Sequence, residues 1–321
     1  AGIPGGAELA LYGAHYAGGI RDVLAGDEEG AGFMAQETAQ VKGRPAVCLG
    51  TSGPAATNLL TAIADAKLDS VPMLAITGQV PTAMIGTDAF QEVDTYGLTL
   101  PITKHNFLAR SAAELLEMLP EAFAIAEQGR PGPVLIDVPK DVQRERVEFD
   151  AWPEPVPAEA RPACSPEKGD RLAGMIGEAR RPVLYLGGGA LASGCGAEVA
   201  ALARKNGIPV ASTLMGLGVF PPDDPLYLGM LGMHGGRHTN LALEEADLLL
   251  AFGVRFDDRA TGRLADFCRH ARIAHVDIDR AEIDKLKAAN LSVEADLGET
   301  LRQLLPRVKA DPRAAWNSRI A

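Results

Sequence analysis

Short apolar runs alternate with helix-period stretches along the whole of this sequence, and that alternation constrains the fold more than any other feature. Such a chain makes parallel strands joined by crossover helices. Ala46-Val-Cys-Leu-Gly50 is strand-sized and leads through Thr51-Ser-Gly-Pro54 into a helical stretch over 55–67. Val71-Pro-Met-Leu-Ala-Ile-Thr77, closed by Gly78-Gln79, and Pro133-Val-Leu-Ile-Asp-Val138 are further strands. A helix is predicted over 111–127, opened by Ser111 with Glu114 three residues on, a capping box. Residues 82–101 show no period, and connections of that length in compact domains are usually functional or disordered. A proline-rich stretch over 146–165 reads as a stiff linker. The pattern then resumes with helices at 168–179, 196–206 and 298–308 and strands at 182–186, 208–212, 247–253 and 273–278. Two doubly wound α/β domains are expected, over 1–145 and 166–321.

Composition removes several classes of function. Lys plus Arg is 31 against 42 for Asp plus Glu, a net charge of −11 with no basic run, so neither nucleic acid nor an anionic membrane surface is an expected partner. No apolar stretch approaches the ~18–20 residues that span a bilayer. Cys48, Cys164, Cys195 and Cys268 are far apart with no CxxC pair. A disulfide framework or structural zinc is therefore not expected, and the reducing cytoplasm is the natural setting. The six histidines form no HxH or HExxH group, so no residue is assigned to a metal.

Three clusters stand at strand ends. Gly187-Gly188-Gly189 follows a strand and precedes a helix, where backbone amides can receive a phosphate. It is not GxGxxG and has no acidic partner ~20 residues on, so a plain tight turn explains it equally well. Asp27-Glu28-Glu29 is either a solvated acidic loop or one carboxylate facing a cofactor crevice. Phe252-Gly-Val-Arg-Phe-Asp-Asp-Arg259 ends an apolar strand at the ligand-facing edge, though surface ion pairs would also account for it. The chain opens on Ala1-Gly-Ile-Pro-Gly-Gly6, which looks like a strand end entering a turn, so an N-terminal truncation is expected.

Longer strings carry a resemblance. Thr51-Ser-Gly-Pro-Ala-Ala-Thr-Asn58, Ile76-Thr-Gly-Gln-Val80, Ile85-Gly-Thr-Asp-Ala-Phe-Gln-Glu-Val-Asp94, Ile102-Thr-Lys-His-Asn106 and Gly129-Arg-Pro-Gly-Pro-Val134 appear in order. Val138-Pro-Lys-Asp-Val142, Ser212-Thr-Leu-Met-Gly-Leu-Gly218, Leu228-Gly-Met-Leu-Gly-Met-His-Gly235 and Ala251–Arg259 follow. Together they resemble the large catalytic subunit of the acetolactate (acetohydroxyacid) synthase family, thiamine-diphosphate enzymes, over essentially the whole chain. The resemblance implies a pyrimidine-binding domain and a Rossmann-like central FAD domain. A third, diphosphate-binding domain with the Mg²⁺ ligands is expected to be missing, because neither Gly-Asp-Gly nor Asn-Asn occurs and the chain ends at Trp316-Asn-Ser-Arg-Ile-Ala321.

The implied activity condenses pyruvate with a second pyruvate or 2-oxobutyrate, through a hydroxyethyl carbanion on thiamine diphosphate, in branched-chain amino-acid biosynthesis. By resemblance Glu28 is the carboxylate on the pyrimidine ring nitrogen, expected to be largely desolvated. Gln91 lines the active site, Gly6 lets the turn approach the cofactor, Pro54 and Asn58 face the pyrimidine across a dimer interface, and Lys140 stands near the substrate channel. For FAD the resemblance implies Arg130, Gly187, Gly188, Gly189, Thr213, Leu214, Met215, Gly232, Met233, His234, Gly253, Val254, Arg255, Asp257, Arg259, Asp277 and Ile278. It also implies 2-oxo acid substrates, a homodimer or homotetramer and a regulatory small subunit.

The sequence departs from the family at Asp27 and Glu29, where His and Gln are usual, at Glu37-Thr38-Ala-Gln40 and at Ala55. Like-charge repulsion from the extra carboxylates would raise the Glu28 pKa. The fragment alone is expected to be inactive. The alternatives are another thiamine-diphosphate decarboxylase or lyase, and a non-catalytic nucleotide-binding relic.

Overall fold

A computed structural model describes residues 1–157 and 159–320. The chain divides into two compact units, Ala1–Glu159 and Ala160–Ala321.

The first unit is built on four parallel strands, β1 (Ala46–Gly50), β2 (Met73–Gln79), β3 (His105–Leu108) and β4 (Pro133–Pro139), in the order β1-β2-β4-β3. Parallel bridges from Gly2 to Leu49 and to Leu24 extend the sheet beyond β1. Alternating residues divide between two cores. Met73, Ala75 and Leu135 pack with Ala35, Ala39, Leu59 and Ile63 on one face, while Leu74, Val134, Ile136 and Val138 pack with Ala122 and Ala126 on the other. A strand with a period of two, buried on both sides, is why these runs are continuously apolar. The helix Glu28–Lys42 buries Ala31, Gly32, Ala35, Gln36 and Ala39, and this small-residue face lets it lie close on the helix Leu60–Asp69. A Cβ at Gly32 would sit 2.6 Å from that of Ala62.

The second unit carries six parallel strands: β5 (Pro182–Leu186), β6 (Val210–Ser212), β7 (Tyr227–Met230), β8 (Leu248–Phe252), β9 (Arg272–Asp277) and β10 (Leu291–Glu294). Their order is β10-β9-β8-β5-β6-β7. Counted from β5 as first, this is the 3-2-1-4-5-6 order of the doubly wound nucleotide-binding fold, with its switch point between β5 and β8. Leu184, Leu250, Phe252 and Val276 fill one core, and Val183, Tyr185, Leu249 and Ile273 the other.

Several elements differ from the sequence expectation. The helical stretch after Pro54 breaks at Leu59 into Pro54–Asn58 and Leu60–Asp69. The unperiodic loop 82–101 holds a 3₁₀ turn, Thr82–Met84, and a short helix, Thr95–Thr99. The helix expected over 168–179 begins two residues earlier, as Pro166–Glu178 capped by Ser165 Oγ, because proline fits a helix's first turn. Strands β3, β7 and β10 have only four residues each, too few for a period to register. The helix Leu9–Gly18 buries none of its residues and so lacks an apolar stripe to betray it.

Candidate functional site

Because the strands of the first unit run parallel, the chain leaves β1, β2 and β4 at one edge of the sheet, where ligands bind in open α/β folds. Glu28 reaches that edge as the first residue of the helix Glu28–Lys42. Asp27 is its N-cap, its Oδ1 accepting from the Gly30 amide at 2.6 Å, and Glu28 and Glu29 fill the first turn, where negative charge is favoured. The acidic triplet is therefore a helix start. Asp27 is turned to its own cap. Glu28 is half-buried, not largely desolvated as expected, because the first helical turn still faces outward. Asn58 Nδ2 donates to its Oε2 at 3.0 Å, and Oε1 accepts no hydrogen bond among the described residues.

Asn58 closes the helix Pro54–Asn58, which is entered through Gly53 at φ +65°. A Cβ at Gly53 would lie 2.6 Å from the Gln91 carbonyl and 2.9 Å from its Cα, so the turn needs glycine to seat the 82–101 loop. Gln91 itself adopts φ +62°. Glu28, Pro54, Asn58 and Gln91 are thus brought together.

What holds Gln91 there was not foreseen from the sequence. Buried Asp137, inside β4, accepts from Thr77 Oγ1 at 2.7 Å and from Gln79 Nε2 at 3.0 Å, and Gln79 Nε2 also donates to the Val93 carbonyl. Burial pushes the Asp137 carboxyl up to about 7, against the lowering effect of those donors. Glu92 accepts from the amides of Gly86, Thr87 and Ala89, and these, Gly86 first, hold its carboxyl below the usual range. Glu8, also unforeseen, is fully buried, and burial drives its carboxyl up to about 8. Neither acid has a sequence signature beyond interrupting an apolar or glycine-rich run.

The remaining candidates of this unit are dispersed. A Cβ at Gly6 would meet nothing within 4 Å, whereas one at Gly5 would strike Thr51 at 2.3 Å, so the chain's own packing requires glycine at 5 and leaves space at 6. Lys140 follows β4 and lines a shallow depression of about 470 Å³ with Pro81, Asp141, Arg144 and Glu145. Arg130 precedes β4, at the end of that strand opposite Lys140, and its Nε donates to Ser70 Oγ at 2.8 Å.

In the second unit the candidates fall where chain leaves strands. Gly187 follows β5 and its amide donates to the Phe252 carbonyl at 3.1 Å, and the Gly189 amide donates to the Gly253 carbonyl at 3.1 Å. A Cβ at Gly187 would lie 2.2 Å from that carbonyl, one at Gly189 2.7 Å from Gly253 Cα, and Gly253 has φ +60°. The glycines let the β5 and β8 loops touch at the switch point. Met215 adjoins Gly188, and Thr213 Oγ1 caps the turn Leu214–Gly216. A second group forms around Arg259: its carbonyl accepts from the Met233 amide at 2.8 Å, and Gly232, at φ +90°, packs on it without room for a Cβ. Asp257 caps the helix Asp258–Thr261. Val254 is buried, Arg255 half-buried, and Met233 and His234 exposed. Asp277 and Ile278 stand at the end of β9, where Asp277 Oδ1 accepts from the Asp279 amide. His275, on the same strand, is buried and donates to the Val254 carbonyl, and burial lowers its pKa.

All four cysteines are buried and free, and no group of three or more potential metal ligands occurs among the described residues. Among the same residues no helix is long and apolar enough to cross a membrane.

Comparison with known proteins gives two family matches: the thiamine pyrophosphate enzyme N-terminal TPP binding domain over residues 1–98, and the thiamine pyrophosphate enzyme central domain over 170–304. The chain is 54% identical over 321 residues to the acetolactate synthase isozyme 1 large subunit of Escherichia coli K12, covering all of this chain and 57% of that protein. It is 49% identical over 313 residues to the acetolactate synthase large subunit of Corynebacterium glutamicum (96% of this chain, 50% of that one). It is 50% identical over 300 residues to the chloroplastic acetolactate synthase 2 of Zea mays (92% and 47%). The chain spans about half the length of the curated relatives it matches.

Proposed function

The chain belongs to the thiamine pyrophosphate enzyme family, and on that premise we propose that it is the pyrimidine-binding and central part of an acetolactate synthase large subunit. Its substrates are 2-oxo acids, pyruvate as donor and pyruvate or 2-oxobutyrate as acceptor, and its setting is the cytoplasm, in keeping with four free buried cysteines. Bound thiamine diphosphate supplies the means of stabilising negative charge on the carbon that a decarboxylating 2-oxo acid leaves behind.

The observation that carries this reading is the Glu28 carboxylate. One oxygen is oriented by Asn58, the other accepts no hydrogen bond among the described residues, and both lie at the ligand-binding edge of a parallel sheet. That geometry fits an acceptor for a protonated ring nitrogen, where Glu28 holds and returns a proton. Gln91, seated on Gly53, offers an amide to the reacting groups, and Lys140 presents a cation that attracts a 2-oxo acid carboxylate. In the central unit FAD is assigned to the switch point between β5 and β8. The fit there is a cradle of backbone rather than side chain: Gly188 leaves Met215 close by, and a Cβ would fall 3.2 Å from it. A homodimer completes the pyrimidine crevice in this reading.

The test is made in the protein that carries this sequence. Glu28→Gln is expected to lower kcat for acetolactate formation by about 10²–10⁴-fold, the range general acid–base groups contribute. A wild-type rate in that variant would remove Glu28 from the mechanism. Release of acetaldehyde without acetolactate, given pyruvate and 2-oxobutyrate, would instead favour a decarboxylase.

A further inference from the structure

Between Gly253 and Asp257 the resemblance assigns every residue to the flavin except one. That residue is Phe256, and it stands at φ +55°. A bulky side chain seldom enters this left-handed region, and it stays there only where its surroundings over-determine it. Here they do. Phe256 is buried, and three rings meet it edge to face: Tyr185 of β5 at 5.7 Å between centroids, Phe267 at 6.3 Å and His275 of β9 at 5.2 Å. Two walls of this cage are themselves tied. Lys287 Nζ donates to the Phe267 carbonyl at 2.7 Å. The His275 ring donates to the Val254 carbonyl at 3.0 Å, two residues before Phe256. On its other side Asp257 Oδ1 accepts from the Arg259 and Ala260 amides, both at 3.1 Å.

The loop that Phe256 bends joins two groups of candidate residues. At Gly253 it touches the switch point, where a Cβ would come 2.6 Å from Gly189 Cα. Farther along, the Arg259 carbonyl accepts from the Met233 amide at 2.8 Å, and Gly232 packs on it without room for a Cβ. Only Gly253 and Phe256 have a positive φ within 253–259. Glycine makes such a turn without steric cost, so the strain of the loop falls on Phe256. A right-handed or extended residue at 256 would swing the following chain away, and the Arg259 carbonyl would not meet Met233. We propose that Phe256 is a positioning residue: its caged ring fixes the β8 loop in the left-handed turn that joins the switch point and the Gly232–Met233 turn into one binding surface. The ring is buried and presents nothing to a ligand, so it acts through the backbone it bends. The proposal rests on the assignment of FAD to this edge for its ligand, but the shape of the loop is tested without it.

The first test uses ligand-free protein and hydrogen exchange at the Met233 amide, with the amides of β5 and β8 as the reference for global opening. Phe256→Ala removes the ring but keeps a Cβ at φ +55°, whereas Phe256→Gly removes the ring and the steric cost together. Met233 should exchange faster than wild type in both, and faster in Phe256→Ala than in Phe256→Gly by about fivefold or more. A residue that served packing alone would give the reverse order or none, since glycine leaves the larger cavity. Either of those results, or a Met233 amide as slow as wild type in Phe256→Ala, overturns the proposal. Should Phe256→Ala fail to fold, Phe267→Leu takes its place. It removes one wall of the cage and leaves residue 256 intact, so unchanged Met233 exchange there is equally fatal. The second test adds FAD to the flavin-stripped full-length protein and follows the quenching of flavin fluorescence. The Kd should rise in the order wild type, Phe256→Gly, Phe256→Ala, and an equal Kd in wild type and Phe256→Ala overturns the proposal. The expected exchange order without FAD uptake by wild type would instead keep Phe256 as the residue that shapes the loop and remove the flavin from this edge.

Discussion

The two units end their parallel sheets in opposite ways. At the switch point of the second, backbone closes on backbone: Gly187 and Gly189 donate to the Phe252 and Gly253 carbonyls, with no room for a single Cβ. At the corresponding edge of the first, among the described residues, Glu8 is buried with no hydrogen-bond partner and Glu28 has one. Only the acids raised by burial follow the same division. Burial raises Glu8 and Asp137 in the first unit, where Glu92 and Asp141 are lowered by backbone and Thr82 donors, while in the second unit Asp224, Glu245, Asp284 and Glu299 all lie below the usual carboxylate range through backbone, glutamine or arginine partners. One edge is closed by backbone on backbone; the other gathers carboxyls displaced by burial, the kind of group that clusters at functional sites.

The contrast can be broken most sharply at Gly253. Gly253→Ala places a Cβ at φ +60° and 2.6 Å from Gly189 Cα, and should destabilise the second unit by about 3 kcal/mol, from strain and overpacking together. A urea midpoint equal to wild type would show that the switch point is not closed by backbone contact. Next comes Asp137→Ala, which strands the Thr77 hydroxyl and the Gln79 amide and should cost about 2 kcal/mol. Because Gln79 also holds Val93, limited proteolysis within 82–101 should accelerate in this variant. Unchanged cleavage would mean the loop is seated by Gly53 and Glu92 alone.

A smaller effect, and one of opposite sign in the two units, is expected from pH. Glu8 and Asp137 have folded pKa values, about 8 and about 7, above those of an unfolded chain. Between roughly pH 4 and 8 the folded state therefore binds more protons, and their favourable contribution is lost as pH rises through that window. The lowered acids of the second unit behave inversely, contributing at neutral pH and losing that contribution as pH falls through their folded pKa. Hydrogen exchange, corrected for intrinsic rate, should thus show protection of β1 and β2 declining from pH 6 to 8.5 while that of β5 and β8 holds. Parallel behaviour of the two sheets would refute the division. Smallest of all is Gly6→Ala, whose Cβ meets nothing in the chain and should change stability by less than about 0.5 kcal/mol. A larger loss would mean that this turn, too, is closed by its own backbone.

Much of the fold was legible because parallel strands buried on both faces must be apolar throughout. Val134, Leu135 and Ile136 are readable as a strand for that reason, as are Leu248, Leu249 and Leu250. The capping box at Ser111 was half right. The Ser111 hydroxyl accepts from the Glu114 amide, but Glu114 reaches back to the Arg110 amide and not to Ser111. The acidic triplet was ambiguous between a loop and a site; that Asp27 is a cap emerged only when its partner, the Gly30 amide, was in view.

Local chemistry, then, is what the sequence determines by itself: which runs are strands, which residues punctuate them, and that two α/β units follow one another with candidates at the strand ends. The tertiary structure alone decided which of those candidates meet. Asn58 orients Glu28 from 30 residues away, and Gly53 seats Gln91. Glu8 becomes a neutral acid only because β1 and β2 end around it and shut out water. Burial and partnership are properties of neighbours in space. For a carboxyl group they decide between a solvated charge and a stored proton, so its role is set by what packs against it rather than by its place in the chain.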